Sequence, residues 1–188
     1  MFNFFLQGAQ GTGKTSLLND ISRIEILNYK INPISEVARQ KINNEYLSKE
    51  QETTIFDYFV YYGMYLSAFN NNLANNDINI FDRSIFDTII FSRMKFGKNN
   101  HIEILGKEIF KLLIKNLNGV LYIPIEFDIV DDGFRNLDKS AQTTFDSELK
   151  LVLHEMGIDY CILRGSIEER SEIATRYIIT KINRSIFN

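Results

Sequence analysis

The chain has a single cysteine, Cys161 in the stretch DYCILRG. No disulfide can therefore close within it, and a cysteine zinc site has no support. The expected role of Cys161 is a small buried hydrophobe on a strand. The only histidines, His101 and His154, stand far apart and do not suggest a histidine metal cluster. There is no Trp, and two Pro and ten Gly in 188 residues exclude a fibrous or low-complexity chain. The opening MFNFFLQGAQ lacks the basic region of a signal peptide, and no apolar run has the length of a membrane span. A cytoplasmic setting is expected. An excess of positive charge is missing too: 21 Lys and Arg face 24 Asp and Glu, for a net charge of −3. That is a poor footprint for coating nucleic acid, although it leaves room for a local basic cleft that takes a small anion.

What the chain does have is apolar material: 45% hydrophobic residues, with fifteen Phe and nine Tyr. That suits one globular domain over residues 1–188 with a sizeable core. The biased stretch NNNLANND at 70–77 reads as a polar turn after a helix. Short apolar runs alternate with helical patterns. FNFFLQ, NYKINPIS, INIFDRS, GVLYIPI and DYCILRG read as five strands. Helices are expected after the first glycine loop, over SEVARQKINN, from a Ser48–Gln51 capping box to about Phe69, and from a Ser84–Asp87 cap to near Gly97. Further helices are expected around 104–115, along Phe145, Leu149, Val152, Leu153 and Met156 to Gly157, and from a Ser166–Glu169 cap to about Lys181. In the long helix from Ser48, Ile55, Phe56, Phe59, Val60, Gly63, Met64 and Leu66 form the expected apolar set. This order predicts an α/β fold: a five-stranded parallel sheet with helices on both faces. Ligands of such sheets bind beyond the carboxyl ends of the strands.

One motif is specific by itself. Gly8-Ala9-Gln10-Gly11-Thr12-Gly13-Lys14-Thr15 matches the Walker A pattern, between a strand and a helix, and runs on into Ser16. Glycines allow positive φ and close backbone approach to phosphates, and the helix start adds its positive end. Lys14 would reach the β and γ oxygens of ATP or GTP, and the Thr15 hydroxyl would bind Mg²⁺.

Other residues count through position. Asp82 ends the apolar strand INIFD, as a metal-holding carboxylate of a Walker B strand would. The alternative is a strand-end Asp that caps the next helix; the two roles can coexist, because Ser84 is the better cap. Arg83 is placed to bind an acceptor or transferred phosphate, or to form a salt bridge. Glu36 and Arg39 in SEVAR share a helical face at the same rim. Glu36 could take a proton from an acceptor hydroxyl, or simply pair with Arg39. Asp131-Asp132-Gly133-Phe134-Arg135 fails as a calcium loop, because Val130 and Lys139 fall on ligand positions. Residues 128–140 read instead as a lid that brings Arg135 over the phosphates, or as a charged surface loop. Tyr58, Tyr62 and Tyr65 have helical spacing. Tyr62 could stack a base or ribose, but such a stripe more often faces the core.

With these motifs in place, the chain resembles the nucleoside and nucleotide kinase branch of P-loop NTPases. The likeness is finest to the small AAA-type ATPase domains related to the ribosylnicotinamide kinase module. SEVAR, FDRS and DDGFRNLD resemble elements of that group, in order and over most of the chain. The resemblance implies the three-layer P-loop NTPase fold, an ATP–Mg²⁺ site at Gly8–Ser16 and Asp82, and an acceptor pocket near Glu36, Arg39, Arg83 and the long helix. The expected activity is transfer of the γ-phosphoryl of ATP to a nucleoside, nucleoside monophosphate or nucleotide-like acceptor. Catalysis would rest on Lys14, Glu36, Asp82, Arg83 and Arg135. A regulatory ATPase acting on a protein partner and a kinase of modified DNA bases or ends are the alternatives. The charge counts against a nucleic-acid partner, and the absence of a helical AAA+ lid counts against a mechanical ring.

Overall fold

A computed structural model describes residues 1–35, 53–72, 77–126 and 139–187 of the chain. Strand β1 (Phe2–Gln7) is buried along its whole length, as a continuous apolar run requires at the centre of a covered sheet. It pairs in parallel with β4 (Ile78–Asp82) on one side and β5 (Gly119–Tyr122) on the other. Beyond them lie β3 (Tyr29–Ile34) and β6 (Tyr160–Ile162), also parallel. These are the five strands expected from the sequence. A sixth was not foreseen. Strand β2 (Glu25–Ile26) pairs antiparallel with β3 at the edge, so the order is β2-β3-β4-β1-β5-β6. The hairpin turns through Leu27 and Asn28, both at positive φ. A two-residue strand has no periodicity to read, and Leu-Asn lacks the glycine that usually marks such a turn.

Period-two alternation sorts the strand side chains onto two faces. Phe4, Leu6, Ile78, Ile80, Leu121 and Ile123 join one core with α1 (Lys14–Ile21) and α6 (Ile167–Phe187). Phe5, Phe81, Val120 and Tyr122 face the other, under α2 (Ile55–Asn71), α3 (Ile85–Phe96), α4 (His101–Leu113) and α5 (Lys139–Glu155). Cys161 on β6 is half-buried beside the first core.

Helix α2 differs from expectation at its start and in its buried face. Thr54, not Ser48, is the N-cap. Its N–H donates to the Asp57 carboxylate at 2.5 Å, closing a capping box. Ser48 and Gln51 lie outside the described residues. Ile55, Phe56, Phe59 and Val60 are exposed, Phe56 at 78%, while Tyr58, Tyr62, Tyr65 and Phe69 are buried. An apolar count cannot orient a helix that is apolar nearly all round; the aromatic row at i, i+4, i+7 and i+11 does.

Two polar devices hold the layers. Asn32, Asn79 and Asn3 are register partners on adjacent strands. Asn32 Nδ2 donates to Asn79 Oδ1 at 2.9 Å, and Asn79 Nδ2 donates to Asn3 Oδ1 at 2.9 Å and to the Asn72 carbonyl at 3.0 Å. Asn79 and Asn3 are buried, Asn79 at 0% exposure, and Asn32 is half-buried. The second device centres on Arg93 of α3, which pairs with Glu103 of α4 at 2.6 Å, with Glu148 of α5 at 3.2 Å and with Glu155. Lys98 and Lys107 pair with Glu155 at 2.6 and 3.1 Å. Burial works to raise the Glu155 carboxyl, but hydrogen bonds from Lys98, Arg93 and Lys107 outweigh it and hold its pKa at about 2. Glu103 is also held below its ordinary range. There burial is outweighed by hydrogen bonds from Arg93, Lys107 and the Asn99 amide.

Asn79→Val strips the ladder of its central member and leaves buried amide groups unpaired. Denaturant unfolding is expected to show a loss of roughly 1–3 kcal/mol. The depressed carboxylates contribute stability above their unfolded pKa, which is lost as pH falls through the folded values. Stability is therefore expected to drop between pH 4.5 and about 2. Arg93→Met should flatten that acid limb and lower stability at pH 7 by about 3–5 kcal/mol, read from denaturation across a pH series.

Candidate active site

The loop between β1 and α1 takes its shape from glycine. Gly8 has φ +151°, and a Cβ there would lie 2.5 Å from the Ile123 carbonyl oxygen. Gly13, at φ +89°, is the N-cap of α1 in the left-handed region, with no side chain to cap the helix. No cap side chain occupies the first amides of α1, which stand at the positive end of the helix. Lys14 is buried, and its Nζ donates to the Gly8 and Ala9 carbonyls at 2.7 Å each. Thr12 Oγ1 donates to the Ala9 carbonyl at 3.0 Å. Thr15 and Ser16 are exposed at the helix start, and Gln10 and Gly11 are half-buried.

Register brings Asp82 to this loop, because Leu6 at the end of β1 pairs with Asp82 at the end of β4. Thr15 Oγ1 donates to Asp82 Oδ2 at 3.1 Å. Asp82 is 6% exposed, and its Oδ1 is buried with no hydrogen-bond partner among the described residues. A desolvated carboxylate oxygen left over beside a hydroxyl fits a small hard cation that keeps most of its waters, as Mg²⁺ does. Among the described residues no group of three His, Cys, Asp or Glu could hold a metal by protein ligands alone.

Arg83 follows with φ +71°, a strained value for a residue with a side chain. Its N–H donates to the Leu6 carbonyl at 3.0 Å, so β4 stays tied to β1 through the bend. The guanidinium pairs with Asp87 at 2.5 Å. Asp87 also accepts from the Ser84 N–H at 3.2 Å, and Ser84 Oγ accepts from the Phe86 N–H at 3.2 Å, the cap expected for α3. With its amide oxygen toward Ser84, Gln7 accepts from Ser84 N and Oγ at 2.9 Å and donates to Asp87 Oδ2 at 3.1 Å. The salt bridge expected as one alternative for Arg83 is therefore present, and Arg83 still sits at the strand end beside the loop.

Three residues at the loop were not foreseen. Gln142 of α5, 2% exposed, donates from Nε2 to the Gln10 carbonyl at 2.8 Å. Arg170 of α6, 3% exposed, donates to the Thr12 carbonyl and to Glu126 Oε2, both at 2.8 Å. Glu126 also accepts from the Gly165 N–H at 3.0 Å, and Arg164 stands 3.6 Å away. Burial pushes the Glu126 carboxyl up, but the bonds from Arg170 and Gly165 prevail and hold it below its ordinary range. A signal was present. Arg170 precedes Ala174, Ile178 and Ile182 at four-residue steps on a buried row, and Gln142 precedes Phe145 and Leu149. A polar residue opening an apolar helix face has a buried partner to meet.

Tyr62 belongs to the core and not to the rim. It is 2% exposed, and its hydroxyl donates to the Ile102 carbonyl at 2.7 Å. Burial, with Glu103 and Tyr58 adding to it, pushes its pKa well above the usual tyrosine range. A base-stacking role for Tyr62 is corrected accordingly: both faces are packed and the hydroxyl is committed. Glu36, Arg39, Arg135 and the expected lid up to residue 138 lie outside the described residues. No described helix is long and apolar enough to cross a membrane.

No curated protein matches the sequence. Solved structures resemble the fold closely. A NadR protein in complex with NR is 22% identical, with a TM-score of 0.68 over 96% of this chain and 51% of that one. A NadR protein in complex with NAD and AMP-PNP is 19% identical, with a TM-score of 0.68 over 96% of this chain and 49% of that one. The chain thus spans about half the length of the NadR chains it matches. Thymidylate kinase from Ehrlichia chaffeensis is 13% identical, with a TM-score of 0.62 over 94% of this chain and 98% of that one. The fold is that of the P-loop nucleotide kinases. The family model described as an AAA domain, AAA_28, matches residues 3–170, and the chain belongs to that family.

Proposed function

We propose that the protein is a phosphotransferase that uses ATP and Mg²⁺ to phosphorylate a small nucleoside, nucleoside monophosphate or nucleotide-like acceptor. The observation that carries this reading is the meeting of Thr15 with Asp82 at 3.1 Å, beside a glycine loop that holds Lys14. The likeness to NadR and thymidylate kinase structures supports it. In this reading the loop amides and Lys14 bind the β- and γ-phosphates and orient the transferring group. Thr15 and Asp82 hold Mg²⁺, which when bound supplies charge neutralisation on the phosphate oxygens. Arg83, with Arg39, holds an acceptor phosphate or the transferring group, and Arg135 excludes water as it closes. Glu36 takes the proton when the acceptor is a hydroxyl; when the acceptor is already a phosphate, no strong base is required.

Incubation with labelled ATP, Mg²⁺ and a panel of nucleosides, nucleoside monophosphates, nicotinamide riboside and oligonucleotides tests the proposal. Label on a small acceptor is expected. Free phosphate alone, stimulated by a protein extract, would instead support a regulatory ATPase and sink the kinase. Asp82→Asn should raise the Mg²⁺ concentration for half-maximal activity about 10- to 100-fold, read from a magnesium titration of initial rates. Glu36→Gln should lower kcat about 10²- to 10⁴-fold on a hydroxyl acceptor while sparing most activity on a monophosphate. A small loss on the hydroxyl acceptor removes Glu36 as base.

A further inference from the structure

Two buried polar side chains stand behind the phosphate loop with no part in the chemistry above. Arg170 donates to the Thr12 carbonyl and Gln142 to the Gln10 carbonyl, each at 2.8 Å. They come from different helices, α6 and α5, and reach carbonyls two residues apart in the chain. A trans peptide is planar, with its N–H pointing opposite to its C=O. Holding the Thr12 carbonyl toward α6 therefore turns the Gly13 N–H away from α6. Holding the Gln10 carbonyl toward α5 turns the Gly11 N–H away from α5. Either carbonyl rotated inward would present a negative dipole to an anion, and Gly11 and Gly13, both at positive φ, would oppose such rotation only weakly.

We propose that Arg170 and Gln142 are positioning residues for nucleotide binding. They fix two loop carbonyls outward so that the Gly11 and Gly13 amides stay aimed at the phosphates. Glu126 completes the brace. Its Oε2 accepts from Arg170 at 2.8 Å and from the Gly165 N–H at 3.0 Å, so one carboxylate ties the guanidinium to the turn after β6. The brace is a fork: one arm of the guanidinium serves Thr12 and the other serves Glu126. Lysine has the charge but not the two-armed geometry. A loop ordered before the ligand arrives avoids the entropic cost of ordering on binding. The inference rests on the reading of Gly8–Thr15 as an ATP site.

Titration calorimetry with MgATP tests it on the full chain, well below each variant's melting temperature. Arg170→Met and Gln142→Leu are each expected to weaken MgATP binding about tenfold, the equivalent of one lost hydrogen bond to a charged or buried group. Arg170→Lys should fall between Arg170→Met and the wild type. In rate assays KM for ATP should rise while KM for the acceptor stays unchanged. Folded variants with wild-type MgATP affinity overturn the brace. Should Arg170→Met fail to fold, wild-type affinity in both Arg170→Lys and Gln142→Leu overturns it equally. A wild-type chain that binds no MgATP fails differently: it removes the nucleotide site itself, and the brace with it.

Discussion

Parallel pairing of β1 with β4 sets Leu6 beside Asp82, and through that pair sets the glycine loop beside the carboxylate at its rim. Side chains alternate along a strand, so a slip of one residue would turn Asp82 to the opposite face and bring Arg83 toward α1. The register cannot be left to apolar packing alone, because both faces of these strands are apolar and a slipped strand would still bury hydrophobes. The asparagine ladder supplies the missing discrimination. Asn32, Asn79 and Asn3 satisfy one another only when β3, β4 and β1 stand in the observed alignment. The ladder sits toward the start of the strands and the candidate site at their carboxyl ends, so the pin and the site share the same β-strands.

Charge in this protein is spent close to where it is balanced. Arg83 has Asp87, Arg170 has Glu126, and Arg93 lies among three glutamates. The overall acidity thus conceals a set of buried or half-buried guanidiniums, each with a carboxylate against it. Lys14 Nζ also donates to the carbonyls of Gly8 and Ala9.

Much of the architecture was legible because it is local. FNFFLQ, INIFD and GVLY are continuous apolar runs bounded by turn residues, and Ser84–Asp87 and Ser166–Glu169 are complete capping boxes. The Walker A spacing likewise prescribes its own backbone. Long-range matters were harder. The described start of α2 is capped by Thr54, with Asp57 giving a carboxylate at the third helical position. Tyr62 was ambiguous because a tyrosine suits both a stacking platform and a core, and its burial together with the Ile102 carbonyl decides between them. Arg170 and Gln142 touch the loop from 158 and 132 positions away in the chain, a proximity that no local pattern encodes.

The division of the interior by the sheet has a consequence for how such a protein changes over time. One core joins the strands to α1 and α6, which carry the phosphate loop and its arginine brace; the other joins them to α2, α3, α4 and α5. Side chains in different cores are separated by the thickness of the backbone layer, and substitutions that share no neighbours add nearly independently. Lineages can therefore remodel much of the second face, short of Gln142 on α5 and the Ser84–Asp87 start of α3, while the glycine loop stays as it is. Heredity can treat the two halves of one small domain almost as separate parts, joined by β-strands that belong to both.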